Sequence, residues 1–297
     1  MNIGSFKSKA NKSKSFGFTF FVWKFILITK GDGMARKIVV TSGKGGVGKT
    51  TITANLGYAL ARSGLKVLLF DADLGLNNLD VVMGVENKVV YDLLDILNGK
   101  CRPMQAVVQD FFNANLYVLP SNHFYCNLDH NGDVIKEIIA QFDEYFDYII
   151  IDSPAGIEGG FLRAINCADE AIVVTTPHLS AIRDCNKVIN VLQGLNVGIV
   201  GLIVNRVRGD LILEKECFCV EDIAKYLKLN IVGAIPESDV ICQQLSSGGE
   251  LKRNAEASLA FNCVVSMIHK GSSRVYDCTK KYKGIIGSIK RSIRKWV

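Results

Sequence analysis

The stretch GKGGVGKTT, residues Gly43 to Thr51, decides the fold of this chain. It fits the pattern G-x-x-x-x-G-K-[ST], in which glycines bring the backbone close to a polyphosphate and direct successive N–H groups at it. The apolar run Lys37–Ser42 before it predicts a buried strand, and Thr53–Arg62 after it carries apolar residues at helical spacing. Strand, glycine-rich turn and helix together indicate a phosphate-binding loop, where the helix N-terminus also attracts the anion.

The same loop supplies side chains as well as backbone groups. Lys49 is placed to bring positive charge to the β- and γ-phosphates, and the Thr50 hydroxyl is placed to bind Mg²⁺. We therefore predict that a nucleotide binds this loop. The residues predicted to bind it are Gly43, Lys44, Gly45, Gly46, Val47, Gly48, Lys49, Thr50 and Thr51.

Two further predicted strands lead into carboxylates. Lys66–Phe70 runs directly into Asp71 and Asp73, and the apolar run Asp147–Asp152 itself ends in an acid. Ligands bind at the carboxyl ends of the strands in doubly wound sheets, so we expect these acids beside the loop. Asp152 has the arrangement of a Walker B acid, which contacts Mg²⁺, usually through water. For Asp71 and Asp73, helix capping is the alternative.

Basic charge is concentrated at the two ends of the chain. Residues 1–33 carry six lysines and one aspartate, and residues 280–297 carry seven basic residues and no acid. Since the whole chain has a net charge of +6, the part between these segments has a net charge of −6. A mildly acidic body is not suited to coating DNA, so we expect no nucleic-acid partner.

The last residues, 282–297, have the pattern of an amphipathic helix. Apolar residues recur at three-and-four spacing and basic residues fill the other positions, which is typical of a helix that lies in a membrane interface. Each basic residue contributes about 1 kcal/mol at best near an anionic leaflet, so one copy should bind marginally and two by avidity. A terminal helix packed in the core is the alternative. The residues predicted to enter the lipid are Ile285, Ile286, Ile289, Ile293 and Trp296.

Residues 1–33 do not fit the rest of the chain. Lysines precede an apolar run, Phe16–Ile28, which is interrupted by Lys24 and is followed by no small-residue cleavage site. We interpret this segment as a wrongly assigned start or a dispensable extension, with a functional N-terminal anchor as the alternative. Residues 34–270 are then one P-loop domain that binds the nucleotide, and 271–281 a linker to the terminal helix.

The nine cysteines are an odd number in a chain too large to need disulfides. Most lie in apolar segments, which favours reduced core residues. Cys217 and Cys219 form the only close pair, but no CxxC motif and no histidine accompany them, so a metal site is not predicted there.

A second lysine in the loop, Lys44, is not required by a plain P-loop. KGGxGKT is the deviant Walker A signature of the MinD/ParA family of P-loop ATPases, and the chain resembles this family here and in the run Asp71–Asp80. The resemblance covers about residues 34–297. It implies an α/β fold in which a mostly parallel, doubly wound sheet is flanked by helices. It also implies that Lys44 reaches the phosphates of a partner subunit, as an arginine finger does in trans.

The resemblance implies roles for other residues. Asp73 would orient or deprotonate the attacking water, and Asp71 would support the Mg²⁺ shell. Gly156, in the switch that follows Asp152, would sense the γ-phosphate through its N–H. Four residues at the ends of two later predicted strands would lie near the adenine: Asn205, Arg206, Pro236 and Glu237.

The function implied by the resemblance is that of a cytoplasmic Mg²⁺-dependent ATPase that places the division septum. Such a protein forms a homodimer with ATP and binds anionic lipid on the inner face of the cell membrane. There it recruits the division inhibitor MinC. Where a MinE-type activator exists, hydrolysis returns the protein to the cytosol.

Four alternatives share part of this pattern. A ParA-type DNA-segregation ATPase needs basic surface on its body, and an FlhG-type flagellar-placement ATPase usually has a DQAxxL-like motif, which residues 1–42 lack. An iron–sulfur reductase needs cysteines just after the second switch, and Asp152–Ala164 contains none. A membrane scaffold that binds ATP without turnover would show the same motifs.

Overall fold

The computed structural model describes residues 34–74, 78–121 and 132–294 of the chain. The predictions for residues 1–33 and for Trp296 fall outside these ranges. The same holds for the middle of the run Asp71–Asp80, at residues 75–77.

A mostly parallel sheet of eight strands forms the centre of the structure. The spatial order is β3-β4-β2-β5-β1-β6-β7-β8, and β3 runs antiparallel to β4 while the other neighbouring pairs are parallel. The strand before the phosphate loop, β1, therefore lies inside the sheet between β5 and β6. The strands are β1 (Arg36–Thr41), β2 (Val67–Asp71), β3 (Val108–Gln109), β4 (Leu116–Leu119), β5 (Tyr148–Asp152), β6 (Glu170–Thr175), β7 (Gly198–Val207) and β8 (Ile231–Pro236).

Helices cover both faces of this sheet, which confirms the predicted fold class. The helices are α1 (Lys49–Arg62), α2 (Leu79–Met83), α3 (Leu93–Leu97), α4 (Gly132–Ala140), α5 (Gly159–Asn166), α6 (Leu179–Gly194), α7 (Gly209–Leu213), α8 (Val220–Leu227), α9 (Asp239–Ser247), α10 (Glu256–Lys270) and α11 (Gly284–Arg294).

The core forms two layers, one on each face of the sheet. Successive residues of a strand point to opposite faces, and β1 shows this clearly. Ile38 and Val40 belong to the layer under α1 and α10, whereas Val39 belongs to the layer under α4, α5 and α6. Because both faces are buried, the central strands are continuous apolar runs rather than alternating ones.

Two predicted helix boundaries differ from the structure near the sheet. α1 begins at Lys49 rather than Thr53, because the glycine loop leads straight into it. The helix predicted over Val134–Phe146 ends at Ala140, and turns follow it. These turns bring Asp143 within 2.8 Å of the Lys37 ammonium, in an ion pair that is almost fully buried.

The C-terminal helix also begins later than predicted, at Gly284 rather than Tyr282. Tyr282 lies in a 3₁₀ turn and is only 4% exposed. Ile285 and Ile289, two residues predicted to enter lipid, are 84% and 56% exposed. No helix in the described part of the chain has the length and apolar character needed to cross a bilayer.

The cysteines are less buried than predicted. All eight described cysteines are free, but only Cys167, Cys185 and Cys278 lie in the core. The prediction that most are core residues is therefore wrong for this part of the chain. The ninth, Cys126, lies outside the described residues.

Candidate nucleotide-binding site

The loop between β1 and α1 forms a cradle of backbone N–H groups. Gly46 and Gly48 have φ angles of 76° and 94°, in the left-handed region that favours glycine. Within the described parts of the chain, no amide of residues 43–48 donates a hydrogen bond. These donors are therefore available to an anion, and the N-terminus of α1 adds the positive end of its dipole.

Residues far away in the sequence hold this loop in shape. Gly43 lies so close to α6 that a Cβ there would be 2.1 Å from the Asp184 carbonyl oxygen. At the end of β7, the buried Asn205 amide donates to the Val47 carbonyl over 2.8 Å. Thus the structure gives Asn205 a role in holding the loop, and its predicted contact with adenine stays a prediction.

The Walker B acid lies directly beneath α1. The Thr50 hydroxyl donates to Asp152 Oδ2 over 2.6 Å, and the Thr53 hydroxyl donates to Oδ1 over 3.2 Å. On the neighbouring strand β2, Asp71 is the residue paired with Asp152. The structure therefore brings together the predicted acids and the P-loop threonine. Thr53 was not singled out from the sequence, although its spacing of three from Thr50 places both on one side of the helix.

Asp71 organises the loop that carries Asp73. Its carboxylate accepts hydrogen bonds from the backbone N–H groups of Asp73, Asn78 and Leu79 over 3.0, 3.2 and 3.1 Å. The last two of these amides lie at the start of α2, so the capping role considered as an alternative is present for Asp71. Its support of a Mg²⁺ shell stays a prediction.

The electrostatics of this cluster favour a bound cation. Burial raises the pKa of Asp152 to about 6, and it also raises the pKa values of Asp71 and Asp73. Burial lowers the pKa of Lys49, and the charges of Asp152 and Asp73 oppose that shift. Lys49 thus faces the buried carboxylate of Asp152 and the half-buried carboxylate of Asp73. Hydroxyl and carboxylate oxygens are the ligands that Mg²⁺ prefers, so Thr50 and Asp152 fit that ion.

Two predicted phosphate-sensing groups lie at the rim of the cradle. Lys44 is exposed, and its ammonium donates to the Ser180 hydroxyl at the start of α6 over 3.0 Å. The Gly156 N–H points to the Ser42 carbonyl over 3.4 Å, which is a long and weak hydrogen bond. Both groups are therefore held loosely, and a ligand or a second subunit could displace either contact.

The four residues predicted near adenine gather at the ends of β7 and β8. Val207 pairs with Pro236, and the Glu237 N–H donates to the Val207 carbonyl over 3.1 Å. Arg206 and Glu237 are exposed at this edge, whereas Pro236 is buried. The structure brings these residues to the side of the loop where Asn205 holds Val47, and their contact with a base stays a prediction.

Comparisons with known proteins agree with this geometry. The model of the ParA family, described as NUBPL iron-transfer P-loop NTPase, matches residues 33–270. The septum site-determining protein MinD from Synechocystis sp. is 41% identical over 263 residues, which cover 88% of this chain and 99% of that protein.

Two solved structures are similar over most of the chain. The MinC:MinD cell division complex from Aquifex aeolicus is 40% identical with a TM-score of 0.73, covering 81% of this chain and 98% of that one. MinD from Pyrococcus horikoshii, complexed with Mg-ADP, is 33% identical with a TM-score of 0.71, covering 80% and 97%.

We expect the substitution Asp152→Asn to change how stability depends on pH. Because the pKa of Asp152 rises from 3.8 to about 6 on folding, the folded protein holds this proton more tightly than the unfolded chain does. The parent therefore loses stability relative to the variant as pH rises from about 4 to 6, by on the order of 3 kcal/mol. Urea unfolding of both proteins between pH 4 and 7.5, without nucleotide or Mg²⁺, measures this difference.

The matched control is Asp239→Asn, which removes an exposed carboxylate at the start of α9. Its unfolding free energy should run parallel to that of the parent over the same pH range. A parent-minus-Asp152→Asn difference that stays constant with pH would contradict the raised pKa.

Proposed function

Because the chain belongs to the ParA family of P-loop NTPases, and within it to the MinD group of septum site-determining proteins, we propose that it is a Mg²⁺-dependent ATPase that places the division septum. The observation that carries the proposal is the cradle of free N–H groups beside Thr50 and Asp152. The Pyrococcus relative with Mg-ADP supports the ligand, and the Aquifex complex supports MinC as a partner.

In the proposed reaction, the chain positions ATP and stabilises the charge that moves during phosphoryl transfer. The amides of residues 43–51 and the Lys49 ammonium bind the β- and γ-phosphates, while Thr50 and Asp152 hold Mg²⁺ directly or through water. When bound, the ion neutralises charge on the phosphate oxygens. Asp73 is half-buried close to Lys49, and its carboxylate orients the attacking water.

The proposed active form is a dimer in which each Lys44 acts in the neighbouring site. Lys44 is exposed on the rim of its own loop, and among the described residues its ammonium donates only to the Ser180 hydroxyl. That hydrogen bond between exposed groups is weak, so little free energy opposes its transfer to a partner's phosphates. Positive charge then reaches the γ-phosphoryl group only after two subunits have met.

The proposed location of the dimer is the inner face of the cell membrane. The exposed Ile285 and Ile289 of α11, with the basic charge of residues 280–297, suit an anionic interface. Ile286, Ile293 and Trp296 complete the proposed apolar stripe. There the dimer recruits MinC, and a MinE-type activator, where one exists, stimulates hydrolysis and releases the protein to the cytosol.

The first test of this function separates binding from hydrolysis. Asp73→Ala should bind ATP with an affinity within a few-fold of the parent but should release no phosphate, because the water is no longer oriented. Lys49→Ala should lose ATP binding, since the cradle then lacks its charged side chain. Calorimetric ATP titration and phosphate release measure the two steps, with Asp239→Asn as the carboxylate control. Parent-like hydrolysis by Asp73→Ala, or parent-like affinity of Lys49→Ala, contradicts these roles.

The second test concerns Lys44 and uses mixed subunits. Lys44→Ala and Asp73→Ala should each be inactive alone, but a mixed dimer should contain one complete site, because the Asp73→Ala subunit lends its Lys44. With random pairing at equal concentrations, about one quarter of the parent's phosphate release should return. If both variants fold and bind ATP yet no mixture hydrolyses it, Lys44 does not act in trans.

The third test concerns the membrane. Ile289→Glu places a charge on the apolar face of α11, so binding to vesicles of anionic phosphatidylglycerol with ATP and Mg²⁺ should fall to background. Ser288→Glu makes the same charge change at an exposed position outside the stripe and should retain most of the binding. Co-sedimentation with ATP or ADP measures both variants. If the parent binds vesicles equally well with ATP and with ADP, avidity of the ATP-bound dimer is contradicted. If Ile289→Glu binds as well as the parent, the interfacial helix is contradicted.

A further inference from the structure

The base of the C-terminal helix is packed onto the body, although the sequence predicts a linker over 271–281. Cys278 and Tyr282 are only 7% and 4% exposed. The Cys278 carbonyl lies against Gly209, the first residue of α7, where a Cβ would be 2.0 Å from that oxygen. Such a close approach between two backbones requires glycine, and it fixes the chain just before α11.

Polar contacts tie the same segment to two helices of the body. Lys281 forms an ion pair with Glu256, the first residue of α10. Within α11, the Arg291 guanidinium donates to the Tyr282 carbonyl and lies 4.0 Å from the carboxylate of Glu214, the residue that follows α7. The segment is therefore held at both α7 and α10.

α11 presents one face to the body and the opposite face to solvent. Gly287 is buried on the Tyr282 turn, where a Cβ would lie 2.2 Å from the Tyr282 carbonyl carbon. Arg291, one turn further on, lies on the same face. Ile285 and Ile289, on the other face, are 84% and 56% exposed. The contacts with the body thus leave these two apolar side chains pointing outward.

We propose that residues 277–291 form a rigid mount, which holds the membrane-binding helix at a fixed place and direction on the body. This inference rests on the proposed membrane function. A helix that is already folded and oriented loses less conformational entropy when it binds the membrane. In a dimer, the effective concentration of the second helix is then set by the two bodies rather than by flexible chain.

Two glycine substitutions disturb the mount without changing charge or the isoleucine stripe. Gly209→Ala acts from the body side, because its Cβ collides with the Cys278 carbonyl. Gly287→Ala acts from the helix side, and alanine by itself favours helix by about 1 kcal/mol over glycine. A free amphipathic helix would therefore bind lipid better after Gly287→Ala, whereas a mounted helix should bind worse. The control is Gly194→Ala, at the end of α6, where an added Cβ meets no atom within 4 Å.

Two measurements on the full chain test the proposal. Hydrogen exchange of residues 278–291 without lipid reports the mount directly, and both disturbing variants should exchange tenfold faster or more than the parent. Vesicle binding with ATP and Mg²⁺ should weaken roughly three- to tenfold in the same variants. Gly194→Ala should match the parent in both assays.

The outcomes separate this inference from the proposed function. If residues 278–291 of the parent exchange hydrogen as fast as an unfolded peptide does, the rigid mount is overturned. It is also overturned if Gly209→Ala and Gly287→Ala exchange faster than the parent but bind vesicles equally well. If the parent exchanges slowly but does not bind vesicles, or if Ile289→Glu does not weaken binding, the membrane function fails and the packed mount stands. If circular dichroism shows that Gly209→Ala does not fold, Gly287→Ala decides the matter.

Discussion

The buried carboxylate of Asp152 is the interaction on which the rest of the site depends. Its oxygens accept hydrogen bonds from Thr50 and Thr53 of α1, and its backbone carbonyl accepts one from Ala72 after β2 over 2.9 Å. Asp152 therefore connects its own strand, β5, to α1, which follows the phosphate loop, and to the end of the neighbouring strand β2. Removing a charge from water is unfavourable unless other groups compensate, so this arrangement favours a bound cation beside Lys49.

The features that suit this site for a ligand make the protein less stable when no ligand is bound. Because burial raises the pKa of Asp152 to about 6, keeping its carboxylate charged above that pH costs stability, which the charge of Lys49 offsets only in part. Burial and the charge of Asp152 raise the pKa of Asp71 as well. The amides of residues 43–48 donate no hydrogen bond within the described parts of the chain, and residues 44–46 are exposed. A bound phosphate would accept hydrogen bonds from these amides, and a bound cation would offset the charge of the carboxylates, so such a ligand would stabilise the folded protein.

The C-terminal helix shows how packing changes the meaning of a sequence pattern. The spacing of Ile285 and Ile289 and the surrounding basic residues predict an amphipathic helix from position 282 onward. In the structure Tyr282 instead belongs to the body, because it is buried there and its carbonyl group contacts Gly287 and Arg291. Its place in the apolar stripe could not distinguish burial in protein from burial in lipid, since both environments are apolar.

The sequence by itself determined the phosphate loop, the parallel α/β class and the identity of the three acids, because glycine pattern and apolar periodicity are local properties. The resemblance to the MinD/ParA family rests on Lys44 and the run after β2, which are also local patterns, and the comparisons confirmed it. Only the tertiary structure decided that Asn205 holds Val47, that Asp71 caps α2, and that Gly209 anchors the tail. Each of these contacts joins residues that no short window of sequence contains, or depends on side-chain direction, and both are set by how strands and helices pack.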